Sequence, residues 1–367
     1  MKMQQQKTAR NSSIELLRIL TAISVIFLHY NNENIGGGFN YAPIETINGS
    51  YLYLMEHICV CAVNLFVLIS AYFLATTEKR KLIKVVEMLV QVVVFRCAFY
   101  GVELLLGAPF SLRTLITKIV PSNYYVILYI VLYIISPYIN IAVKTISKQS
   151  FKNLVIIAFL IFSLWAMFVD LYEGFMGEPT NGFSPVSMYG SQYGYSIVNF
   201  MLLYVIGAYI RINNVSISKK KAVIGLVVCV ALMSVSTYPL FKIHIPAVLA
   251  WSYHNPLVIL MACFILLLFK DMKIQSKVIN EFAKASFTCY LFHGDMMLIF
   301  GIPFIKEAAE SNVLVLFLHQ IAVGVAFYLL SYAVYKVYHF CVGKPVKCLV
   351  PLCEKIDISA HTSKDNA

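Results

Sequence analysis

The chain has 367 residues, of which 60% are hydrophobic and only 13% charged, with a mean hydropathy of +0.76. A soluble domain carries about 25% charged residues, so this composition cannot cover a water-facing globule of ordinary kind. The formal charge of +11 is scattered in short basic clusters between apolar runs, which excludes a compact basic domain for nucleic acid and suits the loops of a membrane protein.

Ten apolar runs follow one another along the chain: 13–30, 51–75, 85–106, 124–143, 153–172, 195–211, 222–240, 247–269, 279–301 and 313–338. Each is long enough to be read as a crossing, since a bilayer core of about 30 Å needs roughly 20 helical residues. The expected fold is therefore all-α and polytopic, with about ten transmembrane helices. The first run, Ile14 to Tyr30, lacks a small-residue cleavage site and keeps an Arg inside it, so it reads as a retained helix rather than a signal. Gly-, Pro- and Asn-rich stretches at 31–50 and 173–194 read as loops. Three regions result: a cytoplasmic N-terminal segment (1–12), a transmembrane domain (13–340) and a polar, basic cytoplasmic tail (341–367) expected to have no fold of its own.

Lys and Arg set the orientation. With the N-terminus inside, 22 of the 29 fall on the inner side, four (Arg113, Lys118, Lys242 and Lys306) on the outer side, and three (Arg18, Arg96 and Lys284) within the runs. Both termini are thus expected in the cytoplasm of a multi-pass protein of the plasma (inner) membrane. The nine cysteines are odd in number and contain no CxxC pair, so neither a zinc site nor a disulfide framework is indicated.

Charge inside a bilayer costs several kcal/mol and calls for a reason. In the first run, Arg18 and His29 are eleven residues apart. At about 100° per residue this puts them within roughly 20° of one helix face and about 16 Å apart along the axis. Glu15, three residues before Arg18, is placed to pair with it. The bland reading is an arginine snorkelling to one interface and a histidine ending the helix at the other. Against it stand His293 and Asp295 at a similar depth in the ninth run. Glu87, Gln91 and Arg96 lie in the third, and Asn64 and Ser70 in the second. Singly, each is read as an interhelical hydrogen bond; together they point to a polar cavity across the bundle.

Five segments in order resemble the acyltransferase-3 family of integral membrane acyltransferases, which O-acylate cell-envelope polysaccharides. Arg18 and His29 look like its Arg-x10-His signature. Asn64 to Leu74 is similar to its second-helix Phe-Phe-x-x-Ser-Gly-Tyr-Phe-Leu element, with Ser70-Ala71 in place of Ser-Gly. Tyr124 to Asn140 resembles its Trp-Phe…Ser-Pro-Phe-Leu-Asn segment, with Tyr125 in place of Trp. Leu203 to Arg211 and Ser286 to His293 extend the likeness, which spans about residues 11–340.

The resemblance implies transfer of an acyl group, acetyl being expected, from acetyl-CoA to a hydroxyl of a polysaccharide or lipid-linked glycan. The cysteine pattern and the charge distribution leave no metal and no nucleic-acid partner expected, with membrane lipids as surroundings. His29 would act as general base or carry a transient acyl group, Arg18 would attract CoA phosphates, and Glu15 would position Arg18. Asn64, Ser70, Arg80, Lys81, Lys84, Tyr125, His293 and Asp295 would bind donor or acceptor; the basic cluster Lys79-Arg80-Lys81-x-x-Lys84 is looser than the family's. A transporter or flippase of a glycan or organic acid, and a non-enzymatic assembly partner, are the rival classes; no internal repeat supports the transporter.

Overall fold

The computed structural model describes residues 11–244 and 247–360, and these are almost entirely helical. The main helices are α1 (Ser12–Asn31), α2 (Ile47–Cys59), α3 (Ala62–Leu74), α4 (Ile83–Leu105), α5 (Leu112–Ile119), α6 (Tyr124–Thr145), α7 (Lys148–Phe159), α8 (Ala166–Met176), α9 (Ile197–Ile212), α10 (Lys219–Lys242), α11 (Pro256–Lys270), α12 (Ser286–Phe300) and α13 (Val313–Tyr338). Small polar residues start them: Asn11, Thr46, Ser111, Asn123, Ser147, Ser196, Ser218, Asn255 and Asn312 each accept a hydrogen bond from a first-turn amide that the helix itself leaves unpaired. A π-helical turn, Leu160–Trp165, joins α7 to α8.

Among the described residues, seven helical stretches are long and apolar enough to cross a membrane. The other three expected crossings fall on α9, α11 and α12, which have 16, 15 and 15 residues and are short for a 30 Å core. Apolar side chains face outward along the long helices; Val227 and Val235 of α10 are 63% and 72% exposed. In water such a surface would be a liability, whereas in lipid it costs nothing. The chain is a helical membrane protein.

α1 runs through the middle of the bundle, against α2, α3, α12 and α13. Beside it α3 and α9 pack closely, because Gly207 of α9 lies over Ala71 and Leu68 of α3; a Cβ at Gly207 would stand 2.6 Å from the Ala71 methyl. Ala71 thus fits against a glycine on the facing helix.

One expectation is corrected by the fold. The described part of the 341–367 tail is folded: short turns of helix lead to Ile358–Ser359, which pairs antiparallel with Lys79–Arg80. The Asp357 carboxylate accepts from the Leu82 amide at 2.8 Å. This pairing ties the Lys79–Arg80 strand to a point far along the chain.

Candidate functional site

Two cavities lie along α1. The first, of about 490 Å³, is lined by Glu15, Arg18, Ser70, Lys84, Glu87, Gln91, Tyr125 and Lys284 among others. The second, of about 570 Å³, is lined by His29, Glu33, Glu56, Trp251, Asp295 and several tyrosines. Tyr290 lines both. Its hydroxyl donates to Asn123 Oδ1 at 3.0 Å and its ring packs 5.2 Å from that of Tyr125. One face of α1 therefore presents its cation to one cavity and its imidazole to the other, with a tyrosine between. A single polar cavity was the expectation; two meeting at Tyr290 are found.

The first cavity carries three cations and two carboxylates, Glu15 and Glu87. Arg18 keeps a third of its side chain exposed, its Nη1 sits 3.3 Å from Glu15 Oε1, and its guanidinium lies 5.6 Å from the Phe73 ring centre. Lys84 and Lys284 complete three cations on the wall, the latter paired with Glu281 at 2.5 Å. Gln91 is fixed by Thr288, which accepts from its Nε2 at 2.8 Å. Such a wall, with aromatic rings between the cations, suits a phosphate-bearing molecule with a planar group.

His29 lines the second cavity, while His293, expected there as a binding residue, is fully buried behind it and lines neither cavity. The rings of His29 and His293 stack with centres 4.6 Å apart at 26°. His293 Nδ1 lies 2.6 Å from the Cys289 carbonyl, so that nitrogen carries the proton and Nε2 keeps its lone pair. Both His29 Nδ1 and His293 Nε2 are buried without a partner. A buried nitrogen left unpaired costs stability unless a partner reaches it.

Not every residue singled out from the sequence reaches a cavity. Arg80 is 1% exposed and lines neither. Its Nε donates to Ser136 Oγ at 2.8 Å. Nη1 donates to the Thr77 and Lys79 carbonyls and to Thr77 Oγ1, and Nη2 to the Leu74 carbonyl at 3.1 Å. A guanidinium spent on protein acceptors has nothing left for a phosphate, so the donor-binding role expected for Arg80 is corrected to a structural one. One of these partners, Ser136, comes from the Ser-Pro…Asn segment. Pro137 cannot supply an amide to the Tyr133 carbonyl, and Ser136 Oγ does so instead at 2.8 Å. Asn140 donates to the Leu74 and Thr77 carbonyls and accepts from the Tyr204 hydroxyl at 2.8 Å.

Asn64 is fully buried, donates to the Tyr253 carbonyl at 2.7 Å and faces neither cavity; it is a helix-packing residue, not a binding one. Lys81 is exposed and off both walls. Arg96 caps the end of α5, donating to the Thr117, Lys118 and Ser122 carbonyls. Reasoning from sequence overlooks Tyr290, Ser252 and Glu56 as cavity residues. Glu56 carried a readable signal, being a carboxylate inside an apolar run.

A Ser–His–Asp grouping also occurs, but it is a clamp. Asp170 accepts from the Ser191 amide at 2.7 Å and from its hydroxyl, and that hydroxyl is 3.2 Å from both ring nitrogens of His254. All three are under 8% exposed and none lines a cavity. A nucleophile needs one directed contact to its base and room for substrate. This serine has neither, and the grouping ties the loop before α9 to α8 and α11. Among the described residues, no group of three or more His, Cys, Asp or Glu side chains is placed to hold a metal ion.

Comparison with curated proteins and with solved structures gives no match. The acyltransferase-3 family model, described as an acyltransferase domain, matches residues 11–336, which takes in α1 to α12, both cavities and nearly all of α13. Arg18, His29, Tyr290 and His293 all lie within that match, and the chain belongs to the acyltransferase-3 family of membrane acyltransferases.

Proposed function

We propose that the protein moves an acyl group, acetyl first among candidates, from acyl-CoA to a hydroxyl of a cell-envelope polysaccharide or its lipid-linked precursor. In this reading it crosses the plasma membrane ten times with both termini in the cytoplasm, so the Arg18 cavity opens inward and the His29 cavity outward. The observation that carries it is the division of labour along α1. A cation-lined cavity suited to CoA phosphates and a cavity with an unpartnered imidazole meet at one tyrosine.

The chemistry is an ordinary acyl transfer. His29 takes the proton of the glycan hydroxyl as that oxygen attacks the thioester carbonyl carbon. The tetrahedral intermediate expels CoA thiolate with cleavage of the C–S bond, and the imidazolium returns its proton to the thiolate. An ester and free CoA result, and no other reactant is needed. His293, stacked on His29 and held by Cys289, orients the base. Glu15 holds Arg18 towards the donor side, with Lys84 and Lys284 beside it. Ser70 and Tyr125 shape the donor wall and Asp295 the acceptor wall.

The test is release of free CoA from acetyl-CoA by the purified protein in lipid, with a mixed envelope glycan fraction. Release that needs glycan and falls by about 10²–10⁴ in His29→Ala supports the assignment, that being the usual worth of a general base. Full activity in His29→Ala refutes it. Two cavities separated by one side chain also fit a transporter that opens to each side in turn. A glycan moved across vesicles with no CoA released would establish that alternative.

A further inference from the structure

We infer that the His29 cavity selects an acceptor glycan that is neutral or carries amino groups and rejects one rich in carboxylates or phosphates, an inference that rests on the acyltransferase reading of this site. Its wall holds three carboxylates, Glu33, Glu56 and Asp295, and no lysine or arginine. Arg96 and Lys118 lie near enough to Asp295 to act on its charge, but neither lines the cavity. Arg96 is spent on three carbonyls, Lys118 pairs with Glu103 at 3.2 Å, and Lys242 stands 4.0 Å from Glu45. An anionic glycan would meet like charge with no counter-ion in the wall, whereas hydroxyls and ammonium groups would find acceptors.

Two further observations point to a sugar. Ser252 lines the cavity, is 3% exposed, and its hydroxyl has no partner. A polar group desolvated at that cost is matched when a ligand hydroxyl arrives. The aromatic wall is also open and held in place. Tyr193 is 42% exposed, and its left-handed backbone, φ 51°, is pinned where its carbonyl accepts from the Tyr253 amide at 3.0 Å. Gly194, at φ 82°, allows this approach, because a Cβ there would lie 2.6 Å from the His254 nitrogen. The exposed ring of Tyr193, with the half-buried Trp251 on the same wall, fits the apolar C–H face of a pyranose, and the carboxylates and Ser252 fit its rim. Glu56 is already oriented by Asn31, whose Nδ2 donates to it at 2.9 Å, and its remaining lone pairs stay available.

The experiment measures binding, which needs no acyl transfer. Tetrasaccharides of glucosamine, N-acetylglucosamine and galacturonate are titrated by calorimetry into the full chain in phospholipid nanodiscs. The glucosamine and N-acetylglucosamine oligomers are expected to bind about tenfold or more tightly than the galacturonate oligomer. Glu33→Gln with Asp295→Asn is expected to cut the preference for glucosamine over galacturonate by about fivefold. Ser252→Ala is expected to weaken both favoured ligands by a similar factor, leaving their ratio unchanged. Equal or tighter galacturonate binding overturns the inference, and so does binding of none of the three. CoA release measured on the same preparation separates the two readings. Acyl transfer to galacturonate refutes the selectivity and keeps the acyltransferase, while selective binding without CoA release does the reverse.

Discussion

Replacing Arg80 by lysine keeps the charge and removes the fork. The guanidinium meets six protein acceptors, from Thr77 Oγ1 at 2.7 Å to the Tyr204 hydroxyl at 3.5 Å. An ammonium has three donors and a narrower reach. At least three acceptors in a fully buried site therefore lose their donor. At about 1 kcal/mol net for each, and with desolvation of those left over, the loss is about 3–5 kcal/mol. That is a large part of the stability of a typical domain. Thermal unfolding of the protein in lipid, followed beside CoA affinity, separates the two roles. Arg80→Lys is expected to lower the unfolding temperature markedly and leave the CoA affinity of the surviving folded fraction unchanged. An unchanged unfolding temperature with weakened CoA binding would refute the structural role and return Arg80 to the donor site.

Other perturbations follow from the same geometry. Lys84→Gln and Lys284→Gln each remove one cation from the first cavity. Each is expected to raise KM for acetyl-CoA several-fold with little change in kcat, an effect that shrinks as salt rises; initial rates at two ionic strengths decide it. Gly207→Ala sets a methyl 2.6 Å from that of Ala71 and 3.1 Å from the Leu68 carbonyl, and should cost about 1–3 kcal/mol by overpacking. Adding Ala71→Gly should restore most of that in a double-mutant cycle on unfolding, and strict additivity of the two changes would count against this contact.

The helices were legible in the sequence because a bilayer demands long apolar runs and permits little else. Their crossings were less so. α12 bends the rule: its fifteen residues follow short helical turns at Lys277–Phe282 and Ala283–Ala285 that an apolar run from 279 cannot distinguish. Arg18 and His29 could be placed on one face by arithmetic, since axial rise and turn angle are local properties. What each faces depends on α12 and on the 251–255 turn, which the spacing does not encode. Nor does composition say which of Lys79, Arg80 and Lys81 turns inward. That is decided by the acceptors of Leu74, Thr77 and Ser136, which draw Arg80 inward and leave Lys79 exposed. The remote pairing of Ile358–Ser359 with Lys79–Arg80 is why a tail that reads as polar and unstructured folds.

Tyr290 is where the two cavities have to communicate. Acyl transfer requires the reacting atoms at about 3–3.5 Å, whereas Arg18 and His29 lie roughly 16 Å apart along α1. A donor anchored beside Arg18 must therefore extend its thioester past the tyrosine that both walls share. In the proposed reading the ring also separates donor from acceptor side, and its position is fixed by the 3.0 Å bond to Asn123. Tyr290→Phe removes the bond and keeps the ring, so transfer is expected to fall modestly, within about tenfold. Tyr290→Ala removes the partition. Water from the second cavity then reaches the thioester, so glycan-independent CoA release should rise while acyl transfer to glycan falls. The ratio of the two, from CoA release with and without acceptor, is the deciding number. Had Tyr290 been mere packing between α6 and α12, truncation would lower both activities together, and an unchanged ratio would remove it from the reaction path.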